Sequence, residues 1–385
     1  MYLDLTEDQK MIQDTARNFA RSELEPAAAK HDQVGDRETY LKNLRKLAEL
    51  GLMGINVRSE YGGSEAGVVA FSLAMIEIAR ACASTAVTMT VNNMVNEVIQ
   101  AVGSEDQRNK YIPKICSGEY YAGGFGLTET MAGSDPSSMR TNAVLDGDSW
   151  VINGSKIFIS SAEYAGVFVV WAVTDKTLPK GRGISCFLVE NGIKGLIVGR
   201  AEHKMGQHAS ATNELLFEDC RVPRDALMGK LNDGFRVAVG ELAGGRIGVG
   251  SLGLGIGLAA IDYATRYAMN RVQFDQPITN FQAIQWMIAE SYTELEAARL
   301  LLMNAAFKKE QGKFFAREAS MAKYYATEAA ERACHRALQM LGGYGYTKEF
   351  PIERYARDVR ITSIYEGTNQ VQRLIIARDI LGSLK

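Results

Sequence analysis

Trp150-Val151-Ile152-Asn153-Gly154-Ser155-Lys156-Ile157-Phe158-Ile159 is the stretch on which the fold turns. Two short runs of β-branched and aromatic residues flank Asn153-Gly154, whose residues accept positive φ, and the pattern predicts a β-hairpin. Further strands are expected over 167–173, 184–189 and 215–217, and Pro223 closes the region. No helical segment separates them, so an antiparallel, barrel-like sheet is expected rather than alternating βαβ units.

On both sides the periodicity changes. Ile12, Ala16, Phe19 and Ala20 recur at helical spacing, as do Leu41, Leu44, Leu47 and Leu50. Gly62-Gly63 interrupts the pattern, and one helical run is expected from Phe71 to about Val102. Thr6-Glu7-Asp8-Gln9 reads as a capping box at the first helix. Beyond Gly234, long helical segments are expected over 235–272, 279–310, 314–341 and 361–382, which together predict an up-and-down bundle. The fold class is therefore α+β multidomain: an N-terminal α-helical domain over 1–120, a middle antiparallel β-barrel-like domain over 121–230, and a C-terminal four-helix bundle over 231–385. Gly253-Leu254-Gly255-Ile256-Gly257 is rich enough in glycine to suggest a dinucleotide loop. It follows helix rather than strand, so close helix packing is the better reading.

Composition narrows the function. Of 385 residues, 46% are hydrophobic and 23% charged, the balance of a soluble globular chain. The net charge of -2 is spread along the chain, so there is no basic stripe for nucleic acid. Five dispersed cysteines without a CxxC pair argue against a disulfide framework and fit a reducing compartment. Four histidines leave little for a histidine-rich metal centre, and no metal is expected; His203 and His208 fall in a loop. No run approaches ~20 uninterrupted apolar residues, so no membrane span is expected, and no basic-plus-apolar leader precedes Thr6.

Three motifs carry chemistry. Gly126-Leu127-Thr128-Glu129-Thr130-Met131-Ala132-Gly133-Ser134-Asp135 offers hydroxyls and glycines whose main chain can approach a ligand. Gln339-Met340-Leu341-Gly342-Gly343-Tyr344-Gly345-Tyr346 has more glycines than a helix C-cap requires, which suggests a backbone pressed against cofactor phosphates. Ile364-Tyr365-Glu366-Gly367-Thr368-Asn369-Gln370 places a carboxylate beside an aromatic ring in an apolar stretch. Burial there would raise its pKa, as a general base requires.

In this order and at these separations the motifs resemble the acyl-CoA dehydrogenase family, of short-chain or short branched-chain type, over essentially the whole chain. The resemblance implies non-covalent FAD, a coenzyme A thioester as substrate, a homotetramer or dimer, and an electron-transfer flavoprotein as acceptor. By position it assigns Phe125, Leu127, Thr128 and Ser134 to the flavin-facing loop, with Ser134 also near CoA. Phe158 and Ser160 would lie against the isoalloxazine; many members carry Trp-Ile-Thr where this chain has Phe158-Ile159-Ser160. Arg271 and Phe274 resemble the element that reaches a neighbouring subunit's FAD, and Gln282, Gln339, Gly342, Gly343, Thr368 and Gln370 match other cofactor contacts. Arg246, Tyr365, Gly367 and Arg378 match positions near the thioester and CoA. Ala243 stands where members often carry an aspartate that contacts CoA, which leaves a looser grip or another carrier open.

The implied reaction is α,β-dehydrogenation to the trans-2-enoyl thioester, with Glu366 as base and flavin N5 as hydride acceptor. Some branches place the base just before the arginine equivalent to Arg246; Gly245 cannot serve, so the role falls to Glu366. Ala86 occupies the position where dicarboxylate-specific relatives carry an arginine, so a glutaryl thioester is not expected. Two alternatives stand beside this reading: an oxidase passing electrons to O2, and a catalytically inactive homologue acting as a binding or assembly module. A cytoplasmic location is expected, or the mitochondrial matrix if a transit peptide was removed.

Overall fold

The computed structural model describes residues 4–383. Helix α1 (Glu7–Phe19) starts at the expected capping box: Thr6 accepts from the Gln9 N–H while the Gln9 side chain accepts from that of Thr6. A π-helical turn over Ala20–Leu24 leads into α2 (Glu25–Val34), and α3 (Arg37–Glu49) follows. The run expected from Phe71 to Val102 is two helices, α4 (Gly67–Ala81) and α5 (Ala83–Val102), broken at Cys82, whose backbone is extended (φ -150°, ψ 105°). Helix α6 (Glu105–Cys116) ends this part.

The sheet that follows holds β1 (Ala122–Gly126), β2 (Asn142–Asp146), β3 (Ser149–Ser160), β4 (Ala165–Val173), β5 (Ile184–Glu190), β6 (Leu196–Ala201), β7 (Thr212–Pro223) and β8 (Leu227–Met228). Its order is β6-β7-β3-β2-β4-β5-β8, with β1 added beside β4. Pairing is mostly antiparallel, but β1 runs parallel to β4, with Phe125 opposite Val169. The hairpin expected at Asn153-Gly154 is not there. Both residues lie inside the single strand β3, and the β3–β7 register shifts between Ile152 and Gly154. The turn is instead at Gly147, between β2 and β3. Gly154 marks a bulge: with φ 140°, a Cβ there would lie 2.7 Å from the Thr141 Cα.

Helix α7 (Gly234–Asn270) leads the C-terminal part. A short hairpin, β9 (Val272–Gln273) and β10 (Gln276–Pro277), connects it to α8 (Gln282–Glu310), which is followed by α9 (Ala316–Leu341), α10 (Ile352–Arg360) and α11 (Asn369–Ser383). The fourth bundle segment, expected as one helix over 361–382, is broken: α11 starts at Asn369, because Glu366 and Gly367 both adopt positive φ. By length and composition α7 could cross a bilayer, yet most of it is buried inside the protein. Its glycines explain how. A Cβ on Gly255 would lie 2.5 Å from the Ile76 carbonyl oxygen of α4, and one on Gly257 would lie 2.9 Å from the Ala330 Cα of α9. The glycine run is therefore a packing seam, and one apolar core joins the N-terminal helices to the bundle.

Candidate active site

The chain leaves α10 through a 3-10 turn over Ile361–Ser363 and reverses at Glu366 and Gly367, with φ of 57° and 86°. Glycine adopts this conformation freely, whereas a residue with a Cβ costs about 1–2 kcal/mol there. What holds Glu366 is the bonding around it. Gln372 Nε2 donates to the carbonyls of Glu366 (3.2 Å) and Gly367 (2.8 Å), and Lys323 Nζ donates to Gly367 O at 2.9 Å. On the other side Tyr365 Oη accepts from Gln207 Nε2 at 3.3 Å, which ties the turn to the loop between β6 and β7.

The carboxyl of Glu366 points at α7. A Cβ on Gly245 would sit 2.4 Å from Glu366 Oε1 and 2.8 Å from Met94 Sδ, so a larger residue there would push one of these side-chain ends aside. One residue on, Arg246 is buried and donates to Ser320 Oγ at 3.4 Å. Glu366 Oε1 and Arg246 Nε are both buried without a hydrogen-bond partner. Burial pushes the Glu366 carboxyl up to about 7, against the opposing charges of Arg246 and Lys323. Burial likewise lowers Arg246, with Glu366 acting against it. The group therefore changes charge near neutrality, the range a general base needs. A second carboxyl, Glu241, lies one turn earlier on α7 with its Oε1 buried and unpartnered; burial, then the charge of Glu97, pushes its pKa well above the usual carboxylate range.

The second half of the site lies in the sheet. At Phe158 the β3–β7 ladder slips again, between Lys156 and Ile159, and Phe158 stands out at φ 58° with 62% of its surface exposed. The bulge is fastened to the 126–135 loop. Ile157 N–H donates to Thr128 O at 2.9 Å, and Lys156 Nζ donates to Leu127 O at 3.2 Å and to Glu129 Oε1 at 2.7 Å. Glu129 also accepts from the N–H groups of Arg140 (2.6 Å) and Thr141 (3.0 Å). Burial pushes Lys156 down to about 8, with Glu129 opposing. Leu127 is buried, Phe125 packs on Trp171 at a 46° tilt with ring centroids 4.5 Å apart, and Thr128 and Ser160 are half-buried. Ser134 is exposed on the same loop.

The remaining expected residues fall in other places. Arg271, Gln339, Gly342 and Gly343 line a cavity of about 450 Å³ with Tyr267 and Tyr344. The Arg271 guanidinium lies 5.8 Å from the Tyr344 ring centre, and a Cβ on Gly342 or Gly343 would meet nothing within 4 Å. Phe274 is 86% exposed on the hairpin, and Gln282 is exposed at the start of α8. Thr368 and Gln370 border a different, polar cavity of about 370 Å³ with Glu328 and Arg360. Arg378 is exposed on α11, ~14 Å along the helix from its start. Sequence reasoning named Lys156 and Glu129 only as parts of longer segments, and it missed Glu241 and Lys323. Both sit on helices, where no local pattern marks a charged residue as buried, although the small residues around Lys323 were a usable hint.

A buried carboxyl facing a buried arginine, and a fastened loop that presents an exposed aromatic ring, are features of an enzyme's site rather than of a packed core. The sequence comparisons give the family. Residues 6–119, 124–220 and 232–381 match the N-terminal, middle and C-terminal domains of acyl-CoA dehydrogenase. The chain belongs to the acyl-CoA dehydrogenase family. It is 44% identical over 384 residues to the mitochondrial short-chain specific acyl-CoA dehydrogenase of Bos taurus, covering 100% of this chain and 92% of that one. Its structure is similar to butyryl-CoA dehydrogenase from Megasphaera elsdenii, with a TM-score of 0.95, 38% identity and coverage of 99% and 100%. It is also similar to an acyl-CoA dehydrogenase complexed with FAD from Bacillus anthracis, with a TM-score of 0.92, 31% identity and coverage of 99% and 68%.

Proposed function

We propose that the chain is an FAD-dependent dehydrogenase of short acyl-CoA thioesters, with Glu366 as the base that takes the α-proton. The observation that carries this reading is the Glu366 carboxyl: buried at Oε1, unpartnered, and tuned to about 7. A thioester α-proton is weakly acidic, and a carboxylate in a water-poor site is a stronger base than one in water.

The residues present fit FAD. Phe158 offers an exposed ring, Thr128 and Ser160 offer hydroxyls, Arg271 offers a guanidinium fork for a pyrophosphate, and Gly342 and Gly343 leave the main chain open to close approach. When bound, FAD would supply the hydride acceptor for the β-carbon, which completes the oxidation to the enoyl thioester. Arg271, Gln339, Gly342 and Gly343 line a cavity that includes none of the residues around Glu366. That separation supports an oligomer, dimer or tetramer, in which one subunit completes another's cofactor site. The acceptor for the electrons is an electron-transfer flavoprotein.

The protein's own residues do the rest. Gly245 makes room for the base, Arg246 supplies the opposing charge, and the Gly367 turn aims the carboxyl. Acyl length is limited along α7. One turn beyond Gly245, Thr90 Oγ1 would lie 2.1 Å and the Phe71 ring 3.3 Å from a Cβ on Gly248, so that space is filled. Ala86 is buried and offers no cation to a second carboxylate. Short, uncharged acyl groups fit best. Mixing the FAD-loaded protein with butyryl-CoA without oxygen tests the reading: the flavin absorbance bleaches and crotonyl-CoA forms, whereas octanoyl- and glutaryl-CoA act poorly. No bleaching with any short acyl-CoA contradicts it. Rapid oxygen consumption without an added acceptor would favour the oxidase.

A further inference from the structure

Lys323 of α9 has no exposed surface and lies among Ala319, Ala322 and Ala326. A lysine in such surroundings is expensive to bury, and an apolar side chain would fill the space more favourably. Its Nζ donates to Gly367 O (2.9 Å) and to Asn369 Oδ1 (2.9 Å). One turn along α9, Thr327 Oγ1 accepts from Asn369 Nδ2 at 3.0 Å. The strained turn at 366–367 is thus tied to one helix face through two residues, and from α11 Gln372 donates to Gly367 O as well and to Glu366 O.

The charges around this lysine are few. Glu366 faces it from the turn, Arg246 from α7, and Glu328 and Glu331 from α9 itself. Glu241 of α7 also faces Glu366. Burial takes Lys323 down to about 7, with Glu366 the leading counterweight.

We propose that Lys323 is the positioning residue of the base: its amine fixes the carbonyl of Gly367 and the side chain of Asn369 to α9, and its charge keeps the Glu366 carboxylate available. The inference rests on Glu366 being the base. Removing a cation beside a carboxyl raises its pKa, so loss of Lys323 moves the onset of activity to higher pH.

Three variants separate geometry from charge. Lys323→Met removes both, Gln372→Leu removes only a donor, and Asn369→Asp keeps the acceptor but offsets the charge. The measurements are amide exchange over 364–372 by mass spectrometry and the pH midpoint for flavin bleaching by butyryl-CoA. Lys323→Met speeds exchange at 366–369 by about tenfold or more, the scale of a lost charged hydrogen bond. It also raises the pH midpoint by about one unit and lowers kcat at pH 7, with KM changed less than about threefold. Gln372→Leu speeds exchange and leaves the midpoint in place. Asn369→Asp gives up the Nδ2 donation to Thr327 but keeps the Lys323 bond, so it raises the midpoint with a smaller rise in exchange than Lys323→Met, and it remains a test if the methionine variant does not fold. Unchanged exchange and midpoint in Lys323→Met, or an unchanged midpoint in Asn369→Asp, overturns the proposal. If the wild-type protein bleaches with no acyl-CoA, the functional reading fails instead, and the exchange data still judge the clamp.

Discussion

The turn at Glu366 and the bulge at Phe158 both hold a residue with a side chain in the left-handed region, yet they are built in opposite ways. The bulge is fastened by a closed polar set. Lys156 meets Glu129 and Leu127 O, and Glu129 meets two further N–H groups. The Glu366 site has a bonded backbone but leaves side-chain atoms without partners: Glu366 Oε1, and Arg246 Nε and Glu241 Oε1 on α7, have none. Full satisfaction makes a buried pair rigid, while partial satisfaction leaves a group whose charge state can change. One region sets shape, and the other stores reactivity.

Substitutions can break that contrast, and the largest effect falls on the reactive side. Glu366→Gln retains FAD but lowers the rate of flavin bleaching by about 10²–10⁴-fold, the usual cost of losing a general base. Next comes the shape-holding pair. Lys156→Met strands a buried carboxylate and lowers stability by about 3–5 kcal/mol, read by urea unfolding, without moving the pH midpoint of the base. A smaller effect is expected of Gly245→Ala. The added methyl would meet Glu366 Oε1 at 2.4 Å and Met94 at 2.8 Å, which displaces the base and lowers kcat about ten- to a hundredfold. The smallest belongs to Phe158→Gly. It relieves about 1 kcal/mol of left-handed strain, so apo-protein stability rises slightly in urea unfolding while FAD affinity falls. An equal drop in stability for the Lys156 and Phe158 variants would erase the distinction.

Much of this was legible in the residue pattern, because helical spacing and strand-like runs report on which faces are buried. The order helix, sheet, helix followed from Leu41 to Leu50, from 167–173 and from the long segments after Gly234. The misreadings have a common origin. Asn153-Gly154 suits a two-residue turn and a bulge equally well, and only the packing of Gly154 on Thr141 decides between them. The fourth bundle segment carries helical spacing through Glu366, so a strained turn held at Gly367 by a lysine 44 positions away leaves no local mark. For the same reason the partners of the functional groups, Lys323 and Glu241, were not read from sequence. Glu366 itself was, since a carboxylate next to a glycine in apolar surroundings stands out.

The central claim is that Glu366 is the base and is charged only as pH passes neutrality. Its folded pKa is raised, so it is neutral below about 7 and ionised above. The direct measurement is the second-order rate constant for flavin bleaching by dilute butyryl-CoA, which reports the free enzyme's ionisation, followed between pH 5.5 and 8.5. The account predicts a rate that rises about tenfold per pH unit at the acid end and levels off above a midpoint near 7. A rate that is flat across the range, or one that keeps the same rising limb in Glu366→Gln, contradicts it.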